Sequence, residues 1–112
     1  IIKLENFDDC DIDELLDKRD DEVFDGEWIK AYSELNKNDY TDAEKKEIDV
    51  TREKSFLMAY NNSGSSDIAS CVSDDMEIIC KAYFMNYNNA WLNSLIMSYA
   101  HGEFPCGKLG KH

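Results

Sequence analysis

Ser66-Asp-Ile-Ala-Ser-Cys-Val-Ser-Asp-Asp-Met-Glu-Ile-Ile-Cys-Lys-Ala-Tyr-Phe-Met85 is the stretch on which the fold turns. Ile68, Val72, Met76, Ile79 and Tyr83 recur at spacings of three and four, the period of a helix with one buried face, and Ser66 is placed to cap it. Ser73-Asp-Asp-Met-Glu77 interrupts the apolar content. Two readings stand: a solvent-facing turn of one long helix, or a restart with Ser73 as N-cap.

The same period extends to both sides. Upstream, Thr41-Asp-Ala-Glu44 is a capping box, in which the Thr hydroxyl and the Glu carboxylate satisfy backbone N–H groups at a helix start. It predicts a helix to about Tyr60 with Ile48, the stem of Arg52, Ser55, Phe56 and Ala59 on the core side. The run Asn61-Asn-Ser-Gly-Ser-Ser66 ends it, because these residues favour turns. Downstream, Asn86-Tyr-Asn-Asn89 makes a turn, and Trp91, Leu92, Leu95, Ile96 and Tyr99 mark a helix from Ala90 to Ala100 that Gly102 and Pro105 stop. Nearer the start, Asp11 is read as the cap of a short helix Ile12–Arg19 with Ile12, Leu15 and Leu16 as its stripe. Asp25 is read as the cap of a helix to Asn36 carrying Trp28, Ile29, Tyr32 and Leu35.

Five amphipathic helices with short polar connections and no strand-like alternation predict an all-α bundle. At 112 residues the chain fits one domain, 1–112, with 1–10 an irregular entry. Hydrophobic residues at 43% and aromatics at 12% suffice for a core. Helical spacing assigns Trp28, Tyr32, Phe56, Tyr83, Trp91 and Tyr99 to packing, while Tyr40, Tyr60 and Tyr87, at helix ends and turns, are freer to meet a partner.

Charge narrows the function classes. The formal charge is −12, and residues 1–27 hold 12 acids against 3 bases, a net of −9. Such a chain repels phosphate backbones and anionic membranes, so neither nucleic acid nor a lipid surface is an expected partner. No apolar run approaches the ~20 residues of a membrane span, and no basic-then-apolar leader is seen, which gives a cytoplasmic expectation.

Catalytic and metal chemistry lack their residues. Asp9-x-Asp11-x-Asp13 has the opening spacing of a calcium loop, but Glu14 stands where the loop needs glycine and Asp20 where it needs a bidentate glutamate. Cys10, Cys71, Cys80 and Cys106 form no zinc spacing with each other or with His101 and His112. Cys71 and Cys80 fall on opposite sides of one helix and cannot pair; free thiols in a reducing compartment are the expectation. Adjacent carboxylates such as Asp74-Asp75 diverge by ~100° on a helix and do not converge on one bond. No nucleophile motif or glycine-rich phosphate loop is present. A binding protein without cofactor is the reading.

The blocks Phe24-Asp-Gly-Glu-Trp-Ile-Lys-Ala-Tyr32, Ile68-Ala-Ser-Cys-Val-Ser-Asp-Asp-Met-Glu-Ile-Ile79 and Trp91-Leu-x-x-Leu95…Tyr99-x-x-Gly-x-Phe-Pro105 carry a resemblance. Together they resemble small helical immunity proteins of bacterial contact-dependent growth inhibition and related polymorphic toxin systems. The resemblance implies a cytoplasmic protein that binds a cognate toxin domain, frequently a nuclease, and blocks its active site with no chemistry of its own. It assigns no contact residues. Those come from electrostatics: Asp11, Asp13, Asp17, Asp20, Asp21, Glu22 and Asp25, with Asp74 and Asp75, form the expected docking face for a basic RNase or DNase, bound by a monomer as a 1:1 heterodimer. Acidity fits one other partner equally, a host defence nuclease inhibited by a phage or mobile-element DNA mimic.

Overall fold

The computed structural model describes residues 12–107 and Leu109; the expected Asp11 cap and the irregular entry over 1–10 lie outside them. Five helices follow in order: α1 Ile12–Arg19, α2 Glu22–Leu35, α3 Asp42–Ser63, α4 Ser66–Met85 and α5 Ala90–Ala100. Among the described residues there is no strand, and the fold is an all-α single domain.

α4 is the axis of the molecule and runs unbroken through Ser73–Glu77. Ile68, Ala69, Val72, Ile78 and Ala82 bury one side of it, with Ser73 and Asp75 among them. α3 and α4 make the largest helix–helix interface. Gly64 explains their antiparallel pairing: at φ 70° it takes the left-handed conformation that ends α3, and the Ser65 hydroxyl at once caps α4 through the Ile68 N–H. Ser55 and Ala59 on α3 are buried toward this interface, and their small size lets the axes approach. Phe24, Leu35, Leu92, Leu95 and Tyr99 close the core from α2 and α5. No residue of α1 is fully buried; it sits on the core through half-buried Ile12, Leu15 and Leu16.

Several sequence expectations shift by a residue or a turn. The capping box is present, with Thr41 N–H to Glu44 Oε1 at 2.9 Å and Glu44 N–H to Thr41 Oγ1 at 3.1 Å. α3 continues to Ser63 because Asn62 and Ser63 side chains bond back to the Met58 and Ala59 carbonyls instead of breaking the helix. α2 begins a turn earlier than Asp25 suggests, since Asp21 accepts from the Val23 and Phe24 N–H groups and is the true N-cap; Asp25 is already in the first turn. Ser65, not Ser66, caps α4. Tyr83 keeps the helical spacing yet is 83% exposed, because the buried stripe of α4 runs through Ile78 and Ala82 and Tyr83 stands one residue, ~100°, beyond it. Of the three tyrosines expected to be free, Tyr60 is exposed, Tyr87 is half-buried, and Tyr40 donates its hydroxyl to the Leu35 carbonyl at 2.7 Å.

Candidate functional site

The acidic residues are brought together where α1 meets α2. Asp13 and Asp17 lie one turn apart on the exposed side of α1, and Asp20, Asp21 and Glu22 occupy the corner, all exposed. Asp25 follows on the first turn of α2. Glu14, Asp17, Asp20 and Asp21 line one open pocket with Lys18 and Gly107. Asp20 and Asp25 line a second, of about 190 Å³, with Arg19, Phe24, Trp28, Cys71 and Asp74. The two depressions share Asp20, so the carboxylates form one face. Among the described residues, Asp17, Asp20, Asp21, Glu22 and Asp25 enter no ion pair.

Asp74 joins this face from α4 but is not unpartnered: Arg52 of α3 holds it at 2.7 Å and also grips Glu77. Partial burial raises the Asp74 pKa above the ordinary carboxylate value; Arg52 opposes this, while Asp75 and Glu77 add to it. Glu77 in turn takes Lys81, whose ammonium sits between the rings of Tyr32 and Tyr40.

Asp75 is a correction. It is 0% exposed and offers no surface to a partner. Its two oxygens are filled by four donors: Arg19 Nη2 at 2.8 Å and Trp28 Nε1 at 2.9 Å on Oδ1, and Arg19 Nη1 at 2.8 Å and the Tyr99 hydroxyl at 2.5 Å on Oδ2. One carboxylate therefore ties α1, α2, α4 and α5 together. Arg19 lies between the rings of Phe24 and Phe104, at 4.7 and 5.2 Å, and donates to the Pro105 carbonyl, which fixes the tail after α5 against α1. Burial works against the charged guanidinium, but the charge and hydrogen bonds of Asp75 with the other neighbours outweigh it and raise the Arg19 pKa further. Burial, then the Asp75 charge, push the Tyr99 hydroxyl well above its usual value.

Sequence reasoning missed Arg19, Trp28 and Tyr99 as the partners of this acid. The signal was available in part: Asp75 stands three residues after Val72 and four before Ile79, on the apolar face, whereas Asp74 is turned ~100° away. An aspartate at a core position requires buried donors. Their identities were not readable from spacing, because they come from three other helices.

Among the described residues no group of His, Cys, Asp or Glu has the geometry of a metal site, and no buried side-chain polar atom lacks a partner. No helix is long and apolar enough to cross a membrane. Cys71 and Cys80, half-buried, have their thiol pKa values pushed up by burial, which lowers the thiolate fraction that would react.

No curated protein sequence matches the chain significantly. The family model described as Immunity protein PIM1 matches residues 1–106, nearly the whole length. The chain belongs to the Immunity protein PIM1 family, and with it to the inhibitors whose task is to neutralise a cognate toxin.

Proposed function

We propose that the α1–α2 corner is the toxin-binding face, and that the toxin is a basic nuclease, an RNase or a DNase, whose active site this face occludes in a 1:1 complex in the cytoplasm. The observation that carries the reading is the convergence of Asp17, Asp20, Asp21, Glu22 and Asp25 on one exposed surface with no ion pair of their own among the described residues, since the two cations beside them are engaged elsewhere, Lys18 with Glu14 and Arg19 with Asp75. Carboxylates left unpaired by their own protein repel one another, and a cationic partner relieves that repulsion. A nuclease keeps such a surface for phosphates, so an acidic inhibitor gains association rate and orientation from it. Asp13 and Asp74 extend the face, and Asp11 precedes α1 next to it in sequence.

The test has two steps. The chain, used as bait in its native host, should retain a basic toxin domain at high salt. Reversing Asp17, Asp20 and Asp25 to Lys should then slow association at least about tenfold at low ionic strength and flatten its salt dependence. Unchanged association would remove the face from the interface. Recovery of host defence nucleases alone would favour a DNA-mimic inhibitor instead.

A further inference from the structure

Beside the acidic corner runs an apolar groove of about 410 Å³, lined by Asp21, Val23, Trp91, Gly107 and Leu109. Val23, on the first turn of α2, is 70% exposed, a large aliphatic side chain placed between Asp21 and Glu22 on one side and Asp25 on the other. Trp91 packs edge-on to Phe24, with ring centres 5.2 Å apart, and contributes to the groove wall from α5. Asp21 uses Oδ2 to cap α2, while Oδ1 takes no hydrogen bond among the described residues. Asp21 and Gly107 also line the neighbouring acidic pocket, so the apolar and acidic concavities share a wall.

We infer that this groove receives an arginine side chain of the basic partner, its stem along Val23 and Leu109 and its guanidinium between the Trp91 ring and the Asp21 carboxylate. The inference rests on the acidic-face reading and adds the anchor to it. Charge selects the occupant: Lys18, beside Gly107, is paired with Glu14, and Asp20, Asp21, Glu22 and Asp25 outweigh the roughly half-unit positive end of the α2 dipole, so the groove mouth favours a cation. A purely apolar anchor would desolvate Oδ1 of Asp21 with nothing in return. Arginine fits better than lysine because the guanidinium is weakly hydrated, stacks on aromatic rings and meets a carboxylate with two donors, whereas an ammonium holds its water. The surrounding carboxylates then govern encounter, and the groove governs how long the complex lasts.

The probes are N-acetyl-arginine amide and N-acetyl-lysine amide, titrated into the chain with the Trp91 indole N–H resonance as reporter. The arginine amide should shift that resonance saturably with a dissociation constant on the order of 10 mM or below, and the lysine amide should bind at least about threefold more weakly. Val23→Ser removes an exposed wall, and Asp21→Asn keeps a competent N-cap while removing the charge. Each should weaken arginine binding about threefold or more while the unfolding midpoint stays near the parent's. Equal response to the two amides, no saturable shift, or unchanged binding in both variants would overturn the anchor. So would a dimer of the free chain that Val23→Ser dissolves, which would make the groove a self-contact. These results are separable from the acidic face itself, since the Asp17, Asp20 and Asp25 reversals report on association rate and leave every groove-lining residue in place.

Discussion

Removing the Asp75 carboxylate should be the most damaging single change to the fold. In Asp75→Ala the buried Arg19 guanidinium retains only the Pro105 carbonyl at 3.2 Å and the two aromatic faces, and Trp28 Nε1 and the Tyr99 hydroxyl lose their acceptor. Breaking a buried ion pair from one side costs ~3–5 kcal/mol, a large part of the ~5–15 kcal/mol that holds a domain of this size together. Asp75→Asn should cost less. With its oxygen at the Oδ1 position it keeps Arg19 Nη2 and Trp28, and its amide faces Tyr99, whose hydroxyl can turn to accept. Only the Arg19 Nη1 bond is forfeited outright, together with the charge assistance, for ~2–3 kcal/mol. Urea unfolding followed by the fluorescence of Trp28 and Trp91 reads both. At a slope of ~1.5 kcal/mol per molar urea, Asp75→Ala should lower the midpoint by ~2–3 M and Asp75→Asn by ~1.5–2 M, with little change of slope. Adding Arg19→Met to Asp75→Ala should recover part of the loss, because the unpaired buried charge is gone. A midpoint for Asp75→Ala within ~0.3 M of the parent is what an ordinary surface position would give, and it would refute the buried hub.

Two glycines should respond in opposite directions to alanine. Gly64→Ala should destabilise by ~1–2 kcal/mol, since φ 70° strains any Cβ although the space around it is open, whereas Gly26→Ala, in mid-α2 with nothing within 4 Å of the added carbon, should stabilise by ~0.5–1 kcal/mol in the same urea assay. Thr41→Ala should cost ~1 kcal/mol by opening the capping box, and Thr41→Ser should restore most of it; equal midpoints for all three chains would deny the cap a role. Asp74 carries a signed pH effect. Its folded pKa lies above the ordinary carboxylate value of 3.8, so between the two values the folded state holds more of the proton than the unfolded state does. The stability of the parent relative to Asp74→Asn should therefore rise as pH falls through the folded value toward ~4, and a relative stability that falls in that window would reverse the assignment.

Much of this protein is written locally. Helix existence follows from period and caps: the Thr41–Glu44 box, the Gly64 stop and the Ala90–Ala100 helix each depend on residues within one or two turns of each other, so sequence reveals them. The acidic corner is local in the same sense, because Asp17 through Asp25 are neighbours in the chain and no folding step can separate them by much. What sequence misplaced were choices between near-equivalent candidates, Asp21 against Asp25 and Ser65 against Ser66, where the outcome depends on which side chain reaches an N–H group first.

Long-range packing settles which carboxylate stays at the surface and which holds the fold. Asp74 and Asp75 are adjacent and chemically identical, yet one lies at the surface beside Arg52 and the other is the buried acceptor for Arg19, Trp28 and Tyr99. A turn of ~100° separates them on the helix, but only the arrival of three donors from α1, α2 and α5 makes the inward position tolerable for a charge. The groove between Val23, Trp91 and Leu109 has the same origin, since Trp91 and Leu109 lie 68 and 86 positions from Val23 and join it only once the tail after α5 has returned to α1. Helices, acidity and family are legible in the chain itself; which side chains meet across the core, and hence that Asp75 finds Arg19, Trp28 and Tyr99 while Asp74 stays at the surface, is long-range packing that helical period alone does not encode.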